Sequence, residues 1–263
     1  MPVRTAAVLA VSLLAAAGCA RKPGAPAPPT SAPPLTHWPE GRSAPLKITD
    51  ALVLAIPLQY QRSAIERAQG PRSPFPGIGG RTEAHFDFFL PDLSGYTLQN
   101  YRSDFDPNKV EVVYLHAGDP HEADPGAPGE YPPNMLARAL KDQLDPHGYQ
   151  DMYGLRCYRG RVLTGRLTCY GARAARAHED ILLYVPVGSG GSENTYPMLK
   201  ANYFSARYGG VRIAWRTHVK NLPRWHDIDT QIWKFIDAWN VPQSAADATG
   251  PAPAKPPDDG GSK

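Results

Sequence analysis

Charge of one sign is what this chain most plainly lacks. Its 28 lysines and arginines nearly balance 25 acids, leaving a formal charge of +3 in 263 residues. That excess is too small for a dedicated nucleic-acid binder, which ordinarily shows a strongly basic face interleaved with stacking aromatics. Cysteine is scarce as well. Three residues are too few for a disulfide-dense miniprotein, and an odd number cannot pair completely within one chain. No apolar run reaches the roughly 18 residues of a permanent membrane span, and no heptad pattern or internal repeat recurs. Apolar residues still make up 42% of the chain, enough for a real core. The 29 prolines are roughly twice average usage.

Many of those prolines lie outside the part that can fold. Met1 to Arg4 is a short basic segment, and residues 6–17 are an unbroken run of Ala, Val and Leu with one Ser, the length of a secretory apolar region. The run closes on Ala16, Ala17, Gly18 and Cys19, and residues 13–19 (LLAAAGC) resemble a bacterial lipobox, with Ala16 where leucine is usual. The resemblance implies a signal peptide over residues 1–18 and cleavage before Cys19. It further implies acylation of Cys19, palmitate included, whose several chains together anchor stably in a bilayer. Ala20 is not acidic, which points to the outer membrane, facing the periplasm. Residues 19–45 form a Pro/Ala-rich tether suited to polyproline II, and residues 242–263 a disordered tail. The folded domain is expected over 46–241.

Within it, apolar or period-two runs at 51–56, 84–90, 110–116, 181–187 and 211–217 predict strands. Ala84, Phe86, Phe88 and Leu90 share one face. Val211, Ile213 and Trp215 do likewise, with Arg212 and Arg216 pointing the other way. Two helices are expected. Asn134 should cap one in which Leu136, Leu140 and Leu144 recur before Asp145-Pro146 stops it. The other follows Asn221, has Pro223 in its first turn, and places Trp225, Ile228, Ile232, Phe235, Ile236 and Trp239 on one stripe. The fold class is therefore α+β, a mostly antiparallel sheet with a C-terminal amphipathic helix packed on it.

With Cys19 acylated, Cys157 and Cys169 remain. Folding the intervening residues into a hairpin centred near Leu163 sets them opposite each other, within the roughly 4.4–6.8 Å that Cα atoms of a disulfide span. Between Arg156 and Arg176 there are six arginines and no acid. They are either an exposed basic surface for an acidic partner, lipid phosphate or glycan, or a solvated strand face balanced by acids such as Glu122 and Asp124. Arg159, Arg161 and Arg166 are the candidate contacts. Trp233, at the edge of the helix stripe, joins them as the aromatic expected to be partly exposed.

Motifs that carry chemistry fall short of their requirements. His116, Asp119, His121, Glu122 and Asp124 supply ligand types, but at no standard zinc spacing and among prolines. The segment from Asp104 to Asn108 begins like a calcium loop and lacks its turn glycine and closing bidentate acid. In the glycine-rich stretch at 188–192, neither Ser189 nor Ser192 satisfies G-x-S-x-G, and no phosphate-loop lysine follows. No catalytic residue, metal or cofactor is assigned, and the protein is not expected to be an enzyme. A hydrolase would need Ser, His and Asp assembled from distant positions.

Taken with the leader, residues 88–97 (FFLPDLSGYT), 208–217 (YGGVRIAWRT) and 225–240 (WHDIDTQIWKFIDAWN) resemble proteobacterial lipoproteins found beside type VI secretion effectors, among them immunity proteins against lipase toxins. The resemblance implies a membrane-anchored, periplasm-facing immunity protein that binds and neutralises a toxin, with the bilayer and the toxin as partners and no nucleic acid. The alternative is a non-enzymatic structural or accessory lipoprotein of the envelope that binds glycan or a secretion machine.

Overall fold

A computed structural model describes residues 38–63, 82–101, 105–162, 164–172, 180–187 and 196–241. The leader with Cys19, most of the tether, the glycine-rich stretch at 188–192 and the tail from 242 lie outside the described residues.

A small hairpin of β1 (Leu46–Thr49) and β2 (Leu52–Leu54) precedes one eight-stranded sheet. The sheet strands are β3 (Glu83–Phe89), β4 (Lys109–Ala117), β5 (Leu144–Met152), β6 (Leu155–Gly160), β7 (Arg166–Ala172), β8 (Asp180–Pro186), β9 (Met198–Ser205) and β10 (Val211–His218). Their order is β3-β4-β10-β9-β8-β7-β6-β5, with every neighbouring pair antiparallel. From β5 to β10 the chain is a simple meander. β4 lies beside β10, near the opposite edge from β5, so the chain must recross the sheet between them. Helix α1 (Pro132–Asp142) makes that crossing and packs on β5, β8 and β9.

The C-terminal helix α2 (Trp225–Trp239) covers the other face. Its stripe of Trp225, Ile228, Ile232, Ile236 and Trp239 is buried against Phe86, Phe88, Ile213 and Trp215, as the 3.6-residue period requires. Phe235 stacks on Trp239, with ring centroids 4.7 Å apart, and meets Phe88 edge-on at 5.3 Å. The expected α+β architecture is thus the one observed.

Several local expectations change. Asn134 is inside α1, which begins after Tyr131 with two prolines in its first turn, where the missing N–H groups cost nothing. Its buried amide instead pins the preceding loop, donating to Glu122 O (3.1 Å) and Asp124 O (2.7 Å) and accepting from Gly126 N (2.8 Å). The helix ends at Asp142, and Leu144, Asp145 and Pro146 open β5. Pro223 lies in a 3-10 turn, Val219–Arg224, ahead of α2, and Asn221 is buried there, bonded to Pro107 O and Thr217 Oγ1, each at 2.8 Å.

The 88–97 segment is a structural corner. Phe89 N donates to Ser94 O (2.9 Å), and Tyr96 N to Gln59 O (2.5 Å). A Cβ on Gly95 would lie 2.4 Å from that same Gln59 oxygen, so only glycine lets the two backbones meet.

Candidate partner-binding surface

The β6–β7 hairpin forms in the expected register. Cys157 and Cys169 are directly opposite, fully buried and joined by a disulfide, their Cα atoms 3.9 Å apart, slightly closer than anticipated. Because side chains alternate along a strand, this pairing fixes the direction of every neighbour. Leu155, Cys157, Leu167 and Cys169 face α2. Arg156, Tyr158, Arg166, Thr168 and Tyr170 face α1.

That alternation separates the candidate arginines. Arg166 emerges on the α1 face, its guanidinium 4.7 Å from the centre of the Tyr184 ring. Arg159 shares the parity of Cys157 and leaves on the α2 side. Arg161 is in the connecting turn, its backbone N–H bonded to Gln143 O at 2.8 Å. All three are exposed, and none pairs with a carboxylate among the described residues. Glu122 is not their counterion: it is 3% exposed and turned inward onto Arg212. Asp124 sits 3.3 Å from His121. Among the described residues, the one hairpin arginine with a close acid is Arg156, bonded to both oxygens of Asp151 at 2.9 and 3.2 Å.

Trp233 is also placed differently from expectation. It is only 5% exposed. The 3-10 turn Arg207–Gly209 between β9 and β10 folds over it, with the Arg207 guanidinium 4.2 Å from the Trp233 ring and 2.7 Å from Asp237 on the same helix. A helix stripe read from sequence cannot anticipate a loop that covers its edge.

Beside Arg166 a groove of about 370 Å³ runs between α1 and the hairpin. Met135, Arg138 and Ala139 of α1 form one wall, and Thr168, Tyr184 and Val162 line the other. Val162, at the hairpin tip, is 83% exposed. Arg138 acts partly as a strut, donating to Ala127 O (2.7 Å) and Gly129 O (2.8 Å), and no carboxylate neutralises it among the described residues.

On the same sheet face, Tyr149, Tyr158, Thr168, Tyr184, Lys200, Arg216, Glu111 and Asp87 are successive register partners across all eight strands. At the β5 end of this line Tyr149 is 48% exposed, with the Arg156 guanidinium 4.5 Å from its ring centre. Tyrosine and arginine together are the composition of interface hot spots. Reading the sequence for aromatics emphasised the last third of the chain and passed over Tyr149, Tyr158 and Tyr170. Their alternation with Cys157 and Cys169 in the hairpin was the available signal.

At the β3 end the line closes into an ionic network. Lys109 is almost fully buried, 2.6 Å from Glu111 and 3.5 Å from Asp87. Tyr96 donates to Asp87, and Arg216 to Glu111. Burial pushes the Asp87 carboxyl up, against the opposing pull of Lys109. Burial acts on Glu111 in the same direction, but the hydrogen bonds from Arg216 and Lys109 outweigh it and hold that carboxyl below its ordinary range. These groups are occupied by one another, which makes the network a structural device on the sheet.

The suggested ligand loop is likewise used internally. Asp119 caps a 3-10 turn (Pro120–Ala123) by accepting from His121 N at 2.9 Å, and Glu122 accepts from the backbone N–H of Asp119 and of Glu130, each at 3.3 Å. No group of three or more His, Cys, Asp or Glu side chains converges among the described residues. Asp106 accepts from Asn108 N at 2.8 Å as part of a turn, while Asp104 lies outside the described residues.

No protein-family model and no curated protein matches the chain. Among solved structures it is similar to Smlt3025, an immunity protein of the Stenotrophomonas maltophilia type IV secretion system. That likeness has 10% identity and a TM-score of 0.47, covering 82% of this chain and 100% of that one. Similarity at that level carries no argument about function.

Proposed function

We propose that the protein is a non-catalytic binding module of the bacterial envelope, held by an acylated Cys19 and facing the periplasm, that binds and neutralises a toxin protein. The observation that carries this reading is the hairpin. Its disulfide and register fix exposed arginines and Val162 on a rigid frame before any partner arrives, which lowers the ordering cost of association. The lipobox-like leader supplies the anchor and the proline-rich tether the reach. The sequence resemblance supplies the class of toxin, a lipase delivered by a type VI secretion system. Producing the protein should protect cells that export the toxin encoded beside it to the periplasm. Full killing despite confirmed expression refutes the reading.

A second reading rests on the same arginines. Arg159 and Arg166 leave opposite faces of the hairpin and Arg161 lies in its turn, an arrangement that suits an anionic polymer lying across the β6–β7 end of the sheet. In that case the body lacking residues 1–45 should sediment with peptidoglycan at low salt and release it as salt rises. Replacing the three arginines together should abolish the effect.

A further inference from the structure

We propose that the groove between α1 and the β6–β7 hairpin receives an acidic segment of the protein partner, with one large apolar side chain seated in the groove and a flanking carboxylate on Arg166. The inference rests on the binding-module reading and names the chemistry of its partner. The groove's volume of about 370 Å³ is at the small end of the roughly 300–1,000 Å³ of small-molecule sites, a fit for one large side chain. Its floor and walls combine Met135, Ala139 and Val162 with the ring of Tyr184, so a side chain entering it exchanges water for apolar contact.

Charge decides what flanks that side chain. Among the described residues that line the groove, Arg138 and Arg166 stand against the single acid Asp142. Arg166 stacks on Tyr184, which holds the guanidinium plane and leaves its N–H edge for an incoming carboxylate. Arg138 already spends N–H groups on Ala127 O and Gly129 O, so it contributes field and not recognition geometry. A basic or neutral segment would leave these charges uncompensated.

The test uses the chain lacking only residues 1–18, with a fluorescein-labelled peptide of one tryptophan flanked by glutamates as the probe. Three comparators accompany it: the same peptide with lysines for glutamates, the same peptide with alanine for tryptophan, and phosphatidylglycerol vesicles. Anisotropy should show saturable binding of the acidic tryptophan peptide and at least tenfold weaker binding of both altered peptides. R166Q, and A139W, which fills the groove from α1, should each weaken it about tenfold with the thermal melt retained; if A139W does not fold, R166E takes its place. Binding that ignores these variants, equal binding of the lysine peptide, or preference for the vesicles overturns the proposal, the last in favour of an anionic membrane surface.

The same variants separate this inference from the function it rests on. In cells exporting the toxin, protection by the native chain together with full protection by A139W and R166E overturns the groove and leaves the immunity reading standing. Failure of the native chain to protect overturns the immunity reading, and the peptide measurement then decides the groove's chemistry alone.

Discussion

Replacing Cys157 and Cys169 together by valine removes the cross-link while keeping two small apolar side chains at a fully buried pair of sites. The cysteines are 12 residues apart, and loop-closure entropy for a loop of that size amounts to about 3 kcal/mol at 25 °C. For a folded body of roughly 200 residues, that corresponds to a fall in Tm of about 6–12 °C. The hairpin itself should persist, because Arg156↔Tyr170, Tyr158↔Thr168 and Arg159↔Leu167 keep their pairing and both flanking strands remain hydrogen-bonded. Urea denaturation followed by fluorescence provides the assay. The variant should unfold at a lower midpoint, with a larger dependence on denaturant because its unfolded chain is no longer constrained. Native protein unfolded in dithiothreitol should match it. If the variant stays within 1 kcal/mol of the oxidised protein, or reductant leaves the native midpoint unchanged, the entropic argument is wrong.

Ile232→Ala empties a fully buried site under the sheet and should cost about 2–5 kcal/mol, measured by chemical denaturation. Asn134→Ala leaves Gly126 N, Glu122 O and Asp124 O without their amide partner, and should cost about 1–3 kcal/mol and admit protease cleavage between residues 119 and 130. Gly95→Ala drives a methyl group into the Gln59 carbonyl and should unfold the 88–97 corner, read as lost protection of the Tyr96 amide in hydrogen exchange. Glu111 has its carboxyl held low in the fold, so its stabilising contribution is complete above about pH 4.5 and is lost as pH falls through the folded value. Glu111→Gln should therefore flatten the acid limb of stability against pH. Asp87 acts with the opposite sign, since a raised pKa makes its ionisation destabilising as pH increases through that value.

Much of the fold was legible because its signals are local. Ala84, Phe86 and Phe88, and Val211, Ile213 and Trp215, alternate and are buried as alternation demands. The α2 stripe is equally direct. No predicted run covers strands β1, β5 or β9. β5 is an edge strand with Pro146, Gly148 and a register irregularity between Leu144 and Tyr149, and Leu144 is its one fully buried side chain, so it carries almost no apolar pattern. In β9, Leu199, Ala201 and Tyr203 alternate with Lys200 and Asn202, a signal present in the chain. The candidate surface was legible only in part. The hairpin and its arginines follow from cysteine spacing, whereas the groove depends on α1 crossing the sheet to meet it.

Sequence by itself determined the antiparallel α+β class, the helix that closes the core and the pairing of Cys157 with Cys169, because periodicity and spacing act over a few residues. Tertiary structure alone decided which neighbours each exposed group meets. It buried Trp233 beneath Arg207, turned Glu122 away from the hairpin onto Arg212, and sent Arg159 and Arg166 to opposite faces. It also placed α1, 24 residues before Arg166 at its last turn, beside that arginine to make a groove. Those outcomes depend on how distant segments pack, and the free energy of packing is set by contacts that no local pattern encodes.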